Sequence, residues 1–127
     1  MHDDSFRRAN LILQLRSIGI TDHSILSAFE STPRHAFAPA GHVTDAYADR
    51  LIPIPCGQVM EAPTVLATVL SNSDLSKNST VLEIGTGSGY LTALLSKLSR
   101  RVISLERYRT LAEMARANLA SFGAQTA

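Results

Sequence analysis

The sequence predicts an α/β chain with a parallel sheet, on three observations. A short β-branched and apolar run at 80–84 leads directly into a glycine-rich turn at 85–89. Leu91, Leu94, Leu95 and Leu98 then recur at the spacing of a helix that buries one face. A second apolar run at 101–105 is followed by a second helical pattern, Leu111, Met114, Ala115, Leu119 and Phe122. Two strands joined through a helix are expected to lie parallel, with a right-handed crossover.

The front half reads as helices and loops. Asp3, Asp4 and Ser5 are candidate caps for a first helix with an inward stripe of Leu11, Ile12, Leu15 and Ile18. Gly19 suits its C-terminal cap. Thr21 is placed to cap a second, short helix carrying Ile25, Leu26 and Phe29. Thr32-Pro33-Arg34 ends that helix, because proline disfavours helix in the residue before it. From 33 to 57 four prolines and two glycines mark an irregular stretch, of the kind that often carries function. A third helix is expected from Pro63, a residue suited to a first turn, with Val65, Leu66, Val69 and Leu70 inward. Residues 72–79 are polar and turn-rich, and Gly123 is the expected stop of the last helix.

Composition excludes several classes. A chain of 127 residues with 45% hydrophobic and 18% charged residues suits one domain and can form a core. The formal net charge is +1 and no basic block is present, so nucleic acid is not an expected partner. No run approaches the roughly 20 apolar residues of a membrane span, and residues 1–4 lack a secretory apolar core. One cysteine, Cys56, cannot form an internal disulfide, which points to a reducing, cytoplasmic compartment. With no adjacent histidine, Cys56 is expected to be a small packed residue rather than a nucleophile. No metal ligands are assigned.

The chemistry lies in Glu83-Ile84-Gly85-Thr86-Gly87-Ser88-Gly89. Gly85 lets the chain turn off the strand end. Gly87 removes a side chain where backbone approaches a ligand, and Gly89 allows the helix start to pack closely on the strand. Thr86 and Ser88 either cap the helix or lie beside the ligand. The spacing is G-x-G-x-G, not the G-x-G-x-x-G of nicotinamide sites, and no Gly-Lys-Ser/Thr of a phosphate loop follows. Glu83 stands two residues before the first glycine, where a carboxylate would repel a pyrophosphate. It suits a ligand bearing an ammonium group, as S-adenosyl-L-methionine does beside its sulfonium. Glu106, 106 − 85 = 21 residues after the first glycine, is placed to accept hydrogen bonds from ribose hydroxyls.

These residues resemble the protein-L-isoaspartate O-methyltransferase family. Leu15-Arg16-Ser17-Ile18-Gly19-Ile20 is similar to its opening segment. Pro33-Arg34-His35-Ala36-Phe37-Ala38-Pro39 is similar to its Pro-Arg-(His)-x-Phe-x-Pro signature, and Ala46-Tyr47-Ala48-Asp49-Arg50 with Pro53-Ile54 to its Ala-Tyr-x-Asp…Pro-Ile stretch. Gly57-Gln58 with Pro63 frames its Gly-Gln-Thr-Ile-Ser-x-Pro loop, and residues 81–90 follow its glycine motif almost letter for letter. The resemblance implies a Rossmann-like class I methyltransferase fold, truncated after the second βα unit, with an N-terminal helical segment. It divides the chain into a substrate-side segment, 1–62, and the first part of an S-adenosyl-L-methionine-binding domain, 63–127.

The implied activity is methyl transfer from S-adenosyl-L-methionine to the carboxylate of L-isoaspartyl residues in damaged proteins or peptides. Glu83, Gly85, Gly87 and Glu106 would hold the cofactor, and Thr86, Ser88 and Gly89 would line it. Gln58 and Glu61 would face substrate, no catalytic residue is assigned, and His35 is expected to pack or hydrogen-bond. Two departures matter. Val59 and Glu61 replace hydroxyl residues of the family loop, and a carboxylate there repels an anionic substrate unless it is protonated or turned away. The family sheet has seven strands in the order 3-2-1-4-5-7-6, of which two are present. The strand containing Val81 would have a bare edge, to be completed by a missing C-terminal half or another chain. The alternatives are an inactive methyltransferase-like module and a related methyltransferase with a different substrate.

Overall fold

The structure, a computed structural model, describes residues 4–123, so the candidate cap Asp3 lies outside it. Helix α1 spans Asp4–Ser17 and buries Leu11 and Leu15. It ends as expected at Gly19, where φ is +99°. The Ile20 N–H donates to the Leu15 carbonyl and the Gly19 N–H to the Arg16 carbonyl, a Schellman closure. Ile18 falls beyond the last turn and is half exposed, so it leaves the predicted stripe.

Helix α2, His23–Ser31, buries Ile25, Leu26, Ala28 and Phe29. Its cap is Asp22, not Thr21: the Asp22 carboxylate accepts the N–H groups of Ser24 and Ile25 at 2.8 and 3.3 Å. The stretch expected to be irregular contains two 3₁₀ turns, Arg34–Phe37 and Ala40–Asp45. It also contains a hairpin that the sequence did not announce, β1 (Ile52–Ile54) paired antiparallel with β2 (Gln58–Met60). Cys56 and Gly57 both have positive φ at the tip, and the Gln58 N–H reaches the Pro55 carbonyl at 3.4 Å. Two left-handed residues match the twist of hairpin strands, which is why Gly57 suits this turn. Cys56 is therefore exposed, not packed, because the hairpin tip points it away from the core.

Helix α3, Pro63–Ser71, begins at its proline and buries Leu66, Ala67 and Leu70. Val65 and Val69, expected inward, are about half exposed. Strand β3 (Thr80–Ile84), helix α4 (Tyr90–Leu98), strand β4 (Arg101–Leu105) and helix α5 (Arg109–Phe122) follow as expected. The two strands pair in parallel, with Glu83 opposite Ser104 and Ile84 opposite Leu105. Alternation divides the sheet into two faces. Glu83 and Val102 are buried on one face, whereas Leu82, Ile84 and Leu105 are exposed on the other. Among the described residues β3 has no partner on its second edge, as expected for the strand containing Val81.

A continuous core joins the front and back of the chain. Its centre is Tyr90, the first residue of α4. The Tyr90 ring meets Phe29 edge-on at 6.3 Å and Phe37 at 5.7 Å, and Phe37 meets Phe122. The Arg34 guanidinium lies 4.9 Å from the Tyr90 ring centre and donates to the Glu61 carbonyl at 2.7 Å. Arg34 is completely buried, and burial lowers its pKa from the ordinary arginine value. A buried guanidinium held by carbonyls and a ring face costs desolvation, so it fixes geometry more than it adds stability.

Gly89 is the most closely packed of the described glycines. Its φ is +96°, and an added Cβ would lie 3.3 Å from Leu119 Cγ and 3.4 Å from Ala115 Cβ. The close approach is therefore to α5, not to the strand as the motif suggested. Gly89→Ala is expected to lower stability by about 2 kcal/mol through left-handed strain plus the displaced contact. Urea denaturation tests this, and an unchanged midpoint would refute it.

Candidate functional site

The site is built where β3 and β4 end. The Gly85 and Thr86 N–H groups both donate to the Leu105 carbonyl, at 2.7 and 3.3 Å, so the turn is tied to the neighbouring strand. The Gly87 N–H donates to Glu106 Oε1 at 2.8 Å, and the Gly89 N–H donates to the Thr86 carbonyl at 3.0 Å. Four of the turn's five backbone donors thus have acceptors within the chain. A phosphate-binding turn works the other way, with its N–H groups aimed at the ligand.

Glu106 carries a second bond, since Oε2 accepts the Tyr108 N–H at 3.1 Å, at the start of α5. A carboxylate has about four acceptor positions, so each oxygen keeps capacity for a further donor. Gly85, Gly87 and Glu106 share one wall of a cleft of about 510 Å³. Ile54, Gln58 and Val59 of the hairpin line the cleft as well, with Ile54 Cδ1 3.5 Å from where a Cβ at Gly87 would lie, as do Arg107 and Tyr108. The Arg107 guanidinium lies 4.6 Å from the Tyr108 ring centre and donates to its hydroxyl, which holds both side chains in place.

Glu83 is placed differently. It is 7% exposed and is not on the cleft wall. Its Oε1 accepts the hydroxyls of Thr92 on α4 at 2.5 Å and Ser104 on β4 at 2.6 Å. The Thr86 hydroxyl is 2.6 Å from that of Ser104, which links the carboxylate to the turn. Burial raises the Glu83 pKa, the Ser104 and Thr92 hydrogen bonds oppose this, and the nearby Glu106 charge raises it further. Among the described residues no cation forms an ion pair with Glu83 or Glu106.

The other sequence candidates divide. Neither Thr86 nor Ser88 caps α4, whose N-cap is Gly89 without a side-chain bond. Ser88 is buried, and its carbonyl accepts from Asn118 at 3.0 Å. Gln58 lies on the cleft wall, whereas Glu61 is exposed and off it, with its backbone carbonyl held by Arg34. His35 hydrogen-bonds as expected, with Nδ1 2.8 Å from the Tyr47 hydroxyl. Three contributors escaped the sequence reading: Thr92, Ser104 and the Arg107–Tyr108 pair. The usable signal was a serine two residues before Glu106, on the inward face of an otherwise apolar strand.

The family model of protein-L-isoaspartate(D-aspartate) O-methyltransferase (PCMT) matches residues 6–126. The chain belongs to this family. It is 47% identical over 111 residues to the protein-L-isoaspartate O-methyltransferase of Maricaulis maris, a match that covers 87% of this chain and 52% of that protein. It is 48% identical over 109 residues to that of Rhodopseudomonas palustris strain BisB18, covering 86% and 50%. The chain spans about half the length of these curated relatives. Its fold superposes on a solved protein-L-isoaspartate O-methyltransferase with TM-score 0.78 and 28% identity, over 94% of this chain and 40% of that one. It also superposes on a Plasmodium falciparum PCMT structure in complex with S-adenosyl-L-homocysteine, with TM-score 0.76 and 26% identity, over 88% and 54%. The fold is thus the Rossmann-like methyltransferase architecture of PCMT, represented by two parallel strands and their helices.

The raised Glu83 pKa has a definite sign for stability. Its charged form is disfavoured in the folded state, so the folded protein holds the proton more tightly than the unfolded one. The cost is absent below the ordinary glutamate pKa and grows as pH rises through the folded value. Glu83→Gln keeps an acceptor for Thr92 and Ser104 and is expected to raise Tm by a few degrees at neutral pH. The gain should vanish in acid. Scanning calorimetry at both pH values checks this, and a neutral-pH Tm below that of the parent protein would contradict it.

Proposed function

We propose that the protein acts in S-adenosyl-L-methionine-dependent methylation of L-isoaspartyl carboxylates in damaged proteins or peptides. The observation that carries this reading is a glycine turn with four of its five N–H donors spent internally, beside two carboxylates that have no ion-pair partner among the described residues. Such a site fits a ligand with positive charge and hydroxyl donors, and disfavours a pyrophosphate. A sulfonium nucleoside with an amino-acid tail has both features. Glu106 would accept from its ribose, with Gly85 and Gly87 along the cleft and Glu83 as the buried negative charge towards its ammonium end. Thr86, Ser88 and Gly89 would shape the turn. When bound, the cofactor supplies an electrophilic methyl group.

The chain's own residues place and shield the reactants. A substrate carboxylate is already an anionic nucleophile at neutral pH, so the site needs alignment and dehydration more than a strong base. In this reading residues 1–62 supply the substrate side, through Gln58 and the hairpin, and residues 63–127 the cofactor side. The exposed position of Glu61, off the cleft wall, supports a side chain turned away from the substrate carboxylate. The lone cysteine supports a reducing compartment, which is the cytoplasm in this proposal. Among the described residues no helix is long and apolar enough to cross a membrane.

A second reading is favoured by the sheet. Parallel sheets are normally covered on both faces, yet Leu82 and Ile84 are 61% and 74% exposed beside an open β3 edge. The relatives are about twice as long as the matched region. In this reading the 127-residue chain is an inactive module until further strands and helices, from a C-terminal half or another chain, cover that face.

Two measurements test these proposals. Titration of the isolated 127-residue chain with S-adenosyl-L-homocysteine is expected to give binding weaker than micromolar, and a clear micromolar isotherm would overturn the module reading. Incubation of the chain completed by the missing layer with labelled S-adenosyl-L-methionine and an isoaspartyl peptide is expected to yield a base-labile methyl ester. Label that survives base, or label on a normal aspartyl control, would refute the substrate assignment.

A further inference from the structure

Behind the glycine turn lies a second, smaller cleft of about 290 Å³, whose lining includes Thr86, Thr92, Ser104, Glu106 and Arg116. Three hydroxyls and one buried carboxylate meet at this point, and counting their hydrogens gives the direction of each bond. Each hydroxyl has one hydrogen to donate. An ionised carboxylate only accepts, so both Thr92 and Ser104 commit their hydrogens to Glu83 Oε1. Ser104 then has none left for Thr86, 2.6 Å away. Thr86 must therefore donate to Ser104.

We propose that Ser104 is a positioning residue that fixes the polarity of the glycine turn. By donating to ionised Glu83 it compels Thr86 to donate inward, so that Thr86 offers only lone pairs to the second cleft, which it lines. The inference rests on the cofactor reading above and refines it. Four of the turn's five backbone donors are already spent, and this relay removes a side-chain donor as well. The polar surface left at the turn accepts hydrogen bonds, which selects hydrogen-donating, cationic groups such as an ammonium and works against phosphate. The constraint is obligatory while Glu83 is ionised and is released when Oε1 takes the proton, because that O–H can then donate to one of the two hydroxyls.

The relay is testable without ligand, by NMR on the 127-residue chain. The Glu83 carboxyl carbon and the Thr86 amide and methyl signals are followed through a pH titration. The charged groups facing the network are Glu106, at the end of β4, and Arg116, on α5; Glu106 is followed by its own carboxyl signal. Thr86 is expected to titrate with the midpoint of Glu83. In Ser104→Ala, Glu83 should still titrate while the Thr86 response falls by about threefold or more; Ser104→Thr should restore it. Thr92→Val, which removes the other donor to Glu83, should leave the Thr86 response in place.

A Thr86 signal that ignores Glu83 in the parent protein would overturn the proposal, as would one that follows it undiminished in Ser104→Ala. If Ser104→Ala does not fold, Glu83→Gln serves instead. Its Thr86 signals should stay flat over the pH range in which Glu83 titrates in the parent protein, and a Thr86 titration that persists there would overturn the relay. Calorimetry with S-adenosyl-L-homocysteine, on the chain completed by its missing layer, addresses the cofactor reading separately. No binding there, with the Thr86 coupling intact, would reject that reading while supporting the relay.

Discussion

The hydrogen bond from the Gly87 N–H to Glu106 Oε1 is the constraint on which the site depends. It joins the middle of the turn to the end of the neighbouring strand, across 19 residues of chain. A charged acceptor makes such a bond short and strong. With the two N–H groups held by the Leu105 carbonyl, it fixes the turn's outline before any ligand arrives. The second Glu106 oxygen extends the tie to the start of α5. Preorganisation of this kind lowers the ordering cost of binding. Part of the cleft's lining comes from the hairpin, whose position depends on the irregular stretch and on Arg34 beneath it.

Much of this arrangement was legible in the sequence, because the back half has strong local signals. A glycine motif off an apolar run, a leucine stripe and an acid at a fixed distance reveal the two parallel strands, the turn and the place of Glu106. What escaped was set by tertiary contact. Val65 and Val69 have the right spacing for a buried stripe, but α3 buries the neighbouring Leu66 and Leu70 and small Ala67 instead. The hairpin was hidden because its strands are only three residues long and one contains a proline. Asp22 displaced Thr21 as a cap because the helix starts one residue later, and the two side chains are equivalent as local signals. Gly89 was correctly assigned to close packing but to the wrong neighbour, since the approach of α5 depends on where the second strand ends.

Glu83 shows most plainly where sequence and structure part. Its position in the motif suggested a ligand-facing acid on the cleft wall, and the structure instead puts it underneath. There it is linked to the turn through two hydroxyls, one on β4 and one on Thr86. A carboxylate in that place is unfavourable to folding, because burial and the charge of Glu106 both favour its protonated form. Hydrophobic residues would fill the same space at lower cost. Local rules broken without a compensating structural gain tend to mark functional positions. Two acids that repel one another beside a turn with four of its five N–H groups internally bonded form a site whose electrostatic deficit a cation can relieve. That deficit, more than the glycines, distinguishes this turn from the phosphate-binding turns it resembles. Glycines only permit the bend, whereas in the reading proposed above the acids and the direction of the hydroxyls determine what can lie against it.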